Sequence, residues 1–178
     1  MRPAVSVLLL LLGLALSSCT GSQEPEPTPP PATSYDEAAV AEGLAAMYAG
    51  DHPDAEDRRE GACFAEELLG STMPAALQSG GLLDDEGRVA AEVPVLDDAL
   101  AEPVADAQLA CSDFVADATA AQVSISKGDL DRAAYSRCLR RALPPEDIRA
   151  GVVASLQGLW DDPALSAITD AQAACAKQ

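Results

Sequence analysis

The sequence predicts an all-α fold, a small helical bundle of two pseudo-repeated helical units, each stapled by a disulfide. Three observations predict it. No segment alternates β-branched and aromatic residues as a strand does, apolar residues recur at steps of three and four, and one cysteine-ending motif occurs twice. Only 3% of residues are aromatic while 48% are hydrophobic, so the core must be built mainly from Leu, Val and Ala.

The chain opens with Arg2, an apolar run over 5–16 and small residues before Cys19, which together read as an export signal covering 1–18. The run is shorter than the ~20 residues of a membrane span, and polar Ser17, Ser18 and Thr20 come directly after it, so removal is expected over retention in the bilayer. Leu16-Ser17-Ser18-Cys19 resembles the lipobox of bacterial diacylglyceryl-modified lipoproteins. The resemblance implies cleavage before Cys19, a thioether from its sulfur to lipid, and an extracytoplasmic domain attached to the cell membrane through that lipid. The competing reading is an ordinary secretory signal in which Cys19 is incidental.

Residues 19–34 carry the lipidation cysteine and a Pro-rich stretch that cannot bury a core and favours polyproline II. At about 3.1 Å per residue it would act as a tether some 40 Å long. Residues 35–178 form the helical domain. Ser34 with Glu37 reads as a capping box opening a helix to about Ala49; Gly50 and Pro53 break it, and Asp54 caps the next. Thr72-Met73-Pro74, Lys127-Gly128-Asp129 and Pro144-Pro145 punctuate the remainder of the chain. Apolar faces run through Leu100, Val104, Ala107, Cys111, Phe114 and Ala118; through Leu130, Ala134, Cys138 and Ala142; and through Ile148, Val152, Leu156 and Leu159.

The segment 97–111 aligns with 161–175, both ending in Asp-Ala-Gln-x-Ala-Cys, and this defines pseudo-repeats over about 54–114 and 129–178. The chain has five cysteines; assigning Cys19 to lipid leaves an even number in an oxidising compartment. If the duplication holds, each unit begins and ends with a cysteine, and the natural bridges are Cys63–Cys111 and Cys138–Cys175. Four cysteines allow three connectivities, and spacing by itself leaves the other two open. A lipobox, a Pro-rich tether and two Cys-bounded helical units resemble a group of secreted actinobacterial proteins without assigned activity. That resemblance brings no catalytic residues. Sparse lysine, at 127 and 177 only, and the absence of Asn fit a high-GC genome.

The formal net charge of −18 excludes nucleic acid as a partner and makes an anionic bilayer a repelling surface, so membrane attachment must come from the lipid on Cys19. A cationic partner, loosely held divalent cations or simple solubility remain. His52 is the only histidine, lies in Gly-Asp-His-Pro-Asp, and is expected to be a turn residue. Asp84-Asp85-Glu86-Gly87 lacks the pattern of a calcium loop, and neither a Cys-x-x-Cys pair nor a phosphate loop is present, so no metal, catalytic or cofactor-binding residues are assigned. Asp97-Asp98 and Asp161-Asp162 read as helix caps, and Trp160 is expected to pack between helices of the second unit. The expected role is non-enzymatic, binding or structural in the cell envelope, with a protein or small apolar ligand as possible partner. A carrier of a lipid or other apolar molecule is the alternative, and a hydrolase using His52 the third reading.

Overall fold

The computed structural model describes residues 35–177; the signal segment 1–18, Cys19, the 19–34 tether and Ser34 lie outside the described residues. The described chain contains α1 (Glu37–Ala49), α2 (Ala55–Ser71), α3 (Pro74–Ser79), α4 (Asp98–Cys111), α5 (Phe114–Ile125), α6 (Arg132–Ala142), α7 (Pro145–Leu156) and α8 (Pro163–Cys175). Among the described residues the sole β pairing is an isolated antiparallel bridge between Leu83 and Val89.

Aspartate starts most of these helices. Asp36, Asp54, Asp97, Asp113, Asp131 and Asp162 each accept hydrogen bonds from first-turn N–H groups that have no partner within the helix. Their charge also sits at the positive end of the helix dipole, so part of the acidity serves local structure. Asp54 and Asp57 form a reciprocal capping box, while α3 and α7 open on Pro74 and Pro145, whose missing N–H costs nothing at that position.

Several element boundaries differ from those the sequence predicts. The cap of α1 is Asp36 instead of Ser34, and α6 is capped by Asp131, two residues past the Lys127-Gly128-Asp129 break from which the sequence would start it. Residues 126–130 are spent on closing α5: Lys127 and Gly128 take positive φ of 53° and 88°, and their N–H groups return to the Ser124 and Val123 carbonyls. The face drawn from Leu100 to Ala118 crosses a break, because α4 stops at Cys111 and Asp113 caps a new helix carrying Phe114 and Ala118. In α6 the buried stripe is Tyr135, Cys138 and Leu139, with Ala142 exposed. In α7 the face holds through Leu156, after which Gly158 at φ 68° turns the chain outward and leaves Leu159 50% exposed.

The buried residues form two clusters. The first joins Val40 and Leu44 of α1, Phe64 and Leu68 of α2, Leu77, Leu82, and Leu100 and Val104 of α4. Tyr48 stacks on Phe64 with ring centroids 4.5 Å apart. The second joins Val115, Tyr135, Cys138, Leu139, Ile148, Val152, Ile168 and Cys175. Helix α4 lies between them, giving Ala101 and Ala107 to the first and Ala105 to the second, while Val153 and Leu156 of α7 pack against both. The two clusters are therefore halves of one domain.

Cys63, midway along α2, is bridged to Cys111, the last residue of α4; Cys138 in α6 is bridged to Cys175, the last residue of α8. In both bridges the Cα atoms are 5.7 Å apart. Counted in helix order, the first bridge falls within α1–α4, taken below as the first unit, and the second within α5–α8, the second unit. Between the bridged helices the first unit has α3 and the irregular segment 80–97, and the second has α7. That irregular segment is fastened across the molecule by the Leu96 N–H, which donates to the Leu156 carbonyl at 2.9 Å.

Candidate functional site

The residues singled out for chemistry are used locally. Asp84 accepts from the backbone N–H groups of Glu86 and Arg88 and from the Arg88 guanidinium at 2.7 Å; the hydrogen bonds from Arg88 hold its carboxyl below the usual carboxylate range. Gly87, at φ 78°, completes this turn, and the Gln78 amide of α3 donates to the Asp84 carbonyl and the Asp85 carboxylate, so the acids of 84–88 are spent on holding a surface loop. His52 is exposed in the α1–α2 connection, and no hydrogen bond joins it to a serine or carboxylate among the described residues. The paired acids separate by role: Asp97 and Asp162 cap helices, Asp98 accepts from the Gln157 amide at 2.6 Å, and Asp161 remains exposed. Among the described residues no group of three His, Cys, Asp or Glu side chains could hold a metal ion, and no helix is long and apolar enough to cross a membrane.

Trp160 overturns its expectation: it is 71% exposed. The cause is the end of α7, where the Leu159 N–H closes back on the Ala154 carbonyl, leaving Trp160 on the connection ahead of the Asp162 cap. The sequence did carry a signal. Gly158 occupies the position where a helix commonly stops in a left-handed residue, and reading it so would have placed Trp160 outside the bundle. Around it, Val95 is 74% exposed and has its methyls 3.5 Å from the place a Gly158 Cβ would take. The exposed apolar side chains Val95, Leu159 and Trp160 thus come from two connections brought together by the Leu96–Leu156 hydrogen bond.

This surface continues into two open grooves along α8. One, of about 490 Å³, is lined by Trp160, Leu165, Ser166, Thr169 and Asp170. The other, of about 340 Å³, has Val152, Leu156 and Ile168 in its walls, with Gln108 and Gln172 among its polar groups. Leu165 and Thr169 belong to both. A third groove, of about 530 Å³, lies between α1 and α2 on the other unit, lined largely by alanine and rimmed by Glu37, Glu42 and Glu66.

A second cluster sits where α2 meets α5. Desolvation raises the Glu60 and Asp117 carboxyl pKa values; Asp117 raises Glu60 further, and Asp113 and Glu56 do the same to Asp117. Burial also raises the Tyr48 phenol, against a hydrogen bond with Ser112. Perturbed groups of this kind mark candidate acid–base sites, but the groups acting on them, Arg59 on Glu60 and the Ser112 hydroxyl on Asp117, only partly offset the desolvation and the neighbouring acids, and the arrangement is that of a crowded acidic seam. Comparison of the chain with protein-family models, with curated proteins and with solved structures finds no match.

Proposed function

We propose that this protein is a lipid-anchored extracytoplasmic domain of a bacterial envelope, attached through Cys19 and acting by binding or as a structural component without catalysing a reaction. The observation that carries the reading is the cysteine pairing: Cys63, Cys111, Cys138 and Cys175 close on one another, so Cys19, at the end of an apolar run, is the odd cysteine of five. Paired bridges suit an oxidising compartment. The lipobox resemblance supplies the chemistry for the remaining thiol, and the Pro-rich segment supplies a spacer.

Detergent-phase partitioning of natively expressed wild type and Cys19→Ala tests the anchor. Wild type should enter the detergent phase and the variant should stay aqueous; equal partitioning would remove the lipid from the reading. Intact mass spectrometry without reduction should show an N-terminal acylated cysteine and a mass lower by four hydrogens for the two bridges. A carrier of apolar molecules draws less support, because the grooves are open to solvent and the core positions are filled by side chains.

A further inference from the structure

The Trp160 face has properties a merely solvated surface does not need. A sole tryptophan held out of the core loses the burial that normally fixes such a side chain in a fold; exposed Leu159 precedes it in the chain, and exposed Val95 lies against Gly158 two residues before it. The charge beside it has one sign. Asp170 lines the same groove, Asp161 is the next residue after Trp160, and neither makes an ion pair among the described residues. The arginines that do pair are spent elsewhere: Arg88 within its turn, Arg140 on Asp113, and Arg149 on Glu102 and Asp106.

We infer that the groove running from Trp160 along α8 docks a cationic, partly apolar polypeptide segment of another protein. A lysine or arginine of the partner lies over the indole face while Asp161 and Asp170 pair with it and with its neighbours. The partner's apolar side chains enter the groove walls at Leu165 and Ile168, and Gln108 and Gln172 supply hydrogen bonds to its backbone. Charge complementarity decides between occupants. A second copy of this chain, with net charge −18, and an anionic bilayer would both bring like charge to the acidic rim. This assignment rests on the reading of the domain as a binding module and is independent of the lipid on Cys19.

Because Trp160 is the only tryptophan, its emission reports the site directly. The full chain, wild type and Cys19→Ala, is titrated with a synthetic peptide of alternating lysine and leucine, with the same peptide carrying glutamate for lysine, and with phosphatidylcholine vesicles with and without phosphatidylglycerol. The lysine peptide should shift the emission to the blue with equal affinity in both proteins, and the glutamate peptide and vesicles should not. Anisotropy of a labelled lysine peptide should show about tenfold weaker binding for Trp160→Ala and for the pair Asp161→Asn with Asp170→Asn, and weakening with added salt. Both sets of side chains are exposed, so circular dichroism should stay unchanged. Undiminished affinity in either variant, equal binding of the glutamate peptide, no response to the lysine peptide, or a shift of the unlipidated Cys19→Ala protein with vesicles alone would each overturn the proposal. Loss of detergent partitioning in Cys19→Ala with peptide binding intact would separate the anchor from this face.

Discussion

The two bridges repeat the same arrangement, a mid-helix cysteine joined to the last residue of a later helix, yet they stand in different surroundings. Cys138 and Cys175 are 7% and 2% exposed and belong to the core of the second unit, whereas Cys63 and Cys111 are only partly buried and belong to neither core cluster. The first unit builds its centre from Phe64, Tyr48 and several leucines and adds a bridge at the flank. The second has fewer large side chains and places the disulfide itself among Tyr135, Ile148 and Ile168. The closed loops span 48 and 37 residues, so loop-closure entropy gives each bridge about 4 kcal/mol. What separates them is packing.

The largest effect expected is therefore unequal. Cys138→Ala with Cys175→Ala should cost about 5–6 kcal/mol, the loop term plus the loss of two buried sulfurs, whereas Cys63→Ala with Cys111→Ala should cost about 4 kcal/mol. Chemical denaturation of the two variants measures this directly. A mild thiol should also open the partly buried Cys63–Cys111 bridge first, read by alkylation and peptide mass. Equal losses, or opening of Cys138–Cys175 first, would dissolve the distinction between a flanking and a core bridge.

The glycines sharpen the same comparison. A Cβ on Gly61 of α2 would meet the Ala45 backbone carbonyl of α1 and stand 3.2 Å from the Ala49 Cβ, so two helix backbones must separate. A Cβ on Gly151 of α7 would meet chiefly the terminal methyl of Ile168, which can turn aside, with the Ala164 carbonyl at 3.4 Å. Gly61→Ala should then cost about 2–3 kcal/mol and Gly151→Ala about 1 kcal/mol or less, as a difference in melting temperature of several degrees. The reverse order would mean that the second unit is the more rigidly packed.

A smaller effect of opposite sign is expected at Tyr135. Its ring is 2% exposed and its hydroxyl has no hydrogen-bond partner among the described residues, and burial raises its pKa. Tyr135→Phe removes an unpaired polar atom while keeping the ring, and should leave stability unchanged or raise it by about 1 kcal/mol. A clear loss would show that the hydroxyl has found water or another partner.

The helical class and most helix starts were legible because they depend on local chemistry, whereas the two bridges followed from the repeated motif only if the duplication held, with two other connectivities left open by spacing. Asp before an apolar stripe caps a helix wherever it stands, and the twice-used Asp-Ala-Gln-x-Ala-Cys endings proved to be the ends of α4 and α8. Helix ends were less legible. The apolar spacing of Leu100 to Ala118 stays in phase across the break at Ser112, so periodicity alone cannot see it. Exposure of Trp160 was signalled by Gly158 and overlooked, whereas its approach to the segment around Val95 depends on one long-range backbone hydrogen bond, Leu96 to Leu156, that no pattern in either segment announces.

The units also meet at two ionic seams of opposite sign. At the α4–α7 seam Arg149 donates to Asp106 at 2.6 Å and to Glu102 at 3.2 Å, and the Asp106 carboxyl is held below the usual range by the hydrogen bond from Arg149. A depressed carboxyl pKa contributes stability that is present above the unfolded value near 4 and lost as pH falls through the lowered one. The pair is substantially exposed, so Arg149→Ala should cost about 0.5–1 kcal/mol at pH 7 and progressively less below pH 4, measured as thermal stability against pH.

The α2–α5 seam works the other way and sets the smallest effect. Glu60 and Asp117 have pKa values raised by desolvation first and by neighbouring acids second, so their charged forms oppose folding at neutral pH. Stability should accordingly rise as pH falls through the raised values and be fully recovered below the ordinary carboxylate range, until the loss at Asp106 and Asp113 takes over. Glu60→Gln or Asp117→Asn should raise stability at pH 7 by about 0.5 kcal/mol or less after solvent screening, with the gain disappearing near pH 4. Combined in one chain the two should gain less than their sum, because either change removes the same repulsion. Strict additivity would mean that these two acids do not repel one another, and that desolvation and their other acidic neighbours raise them.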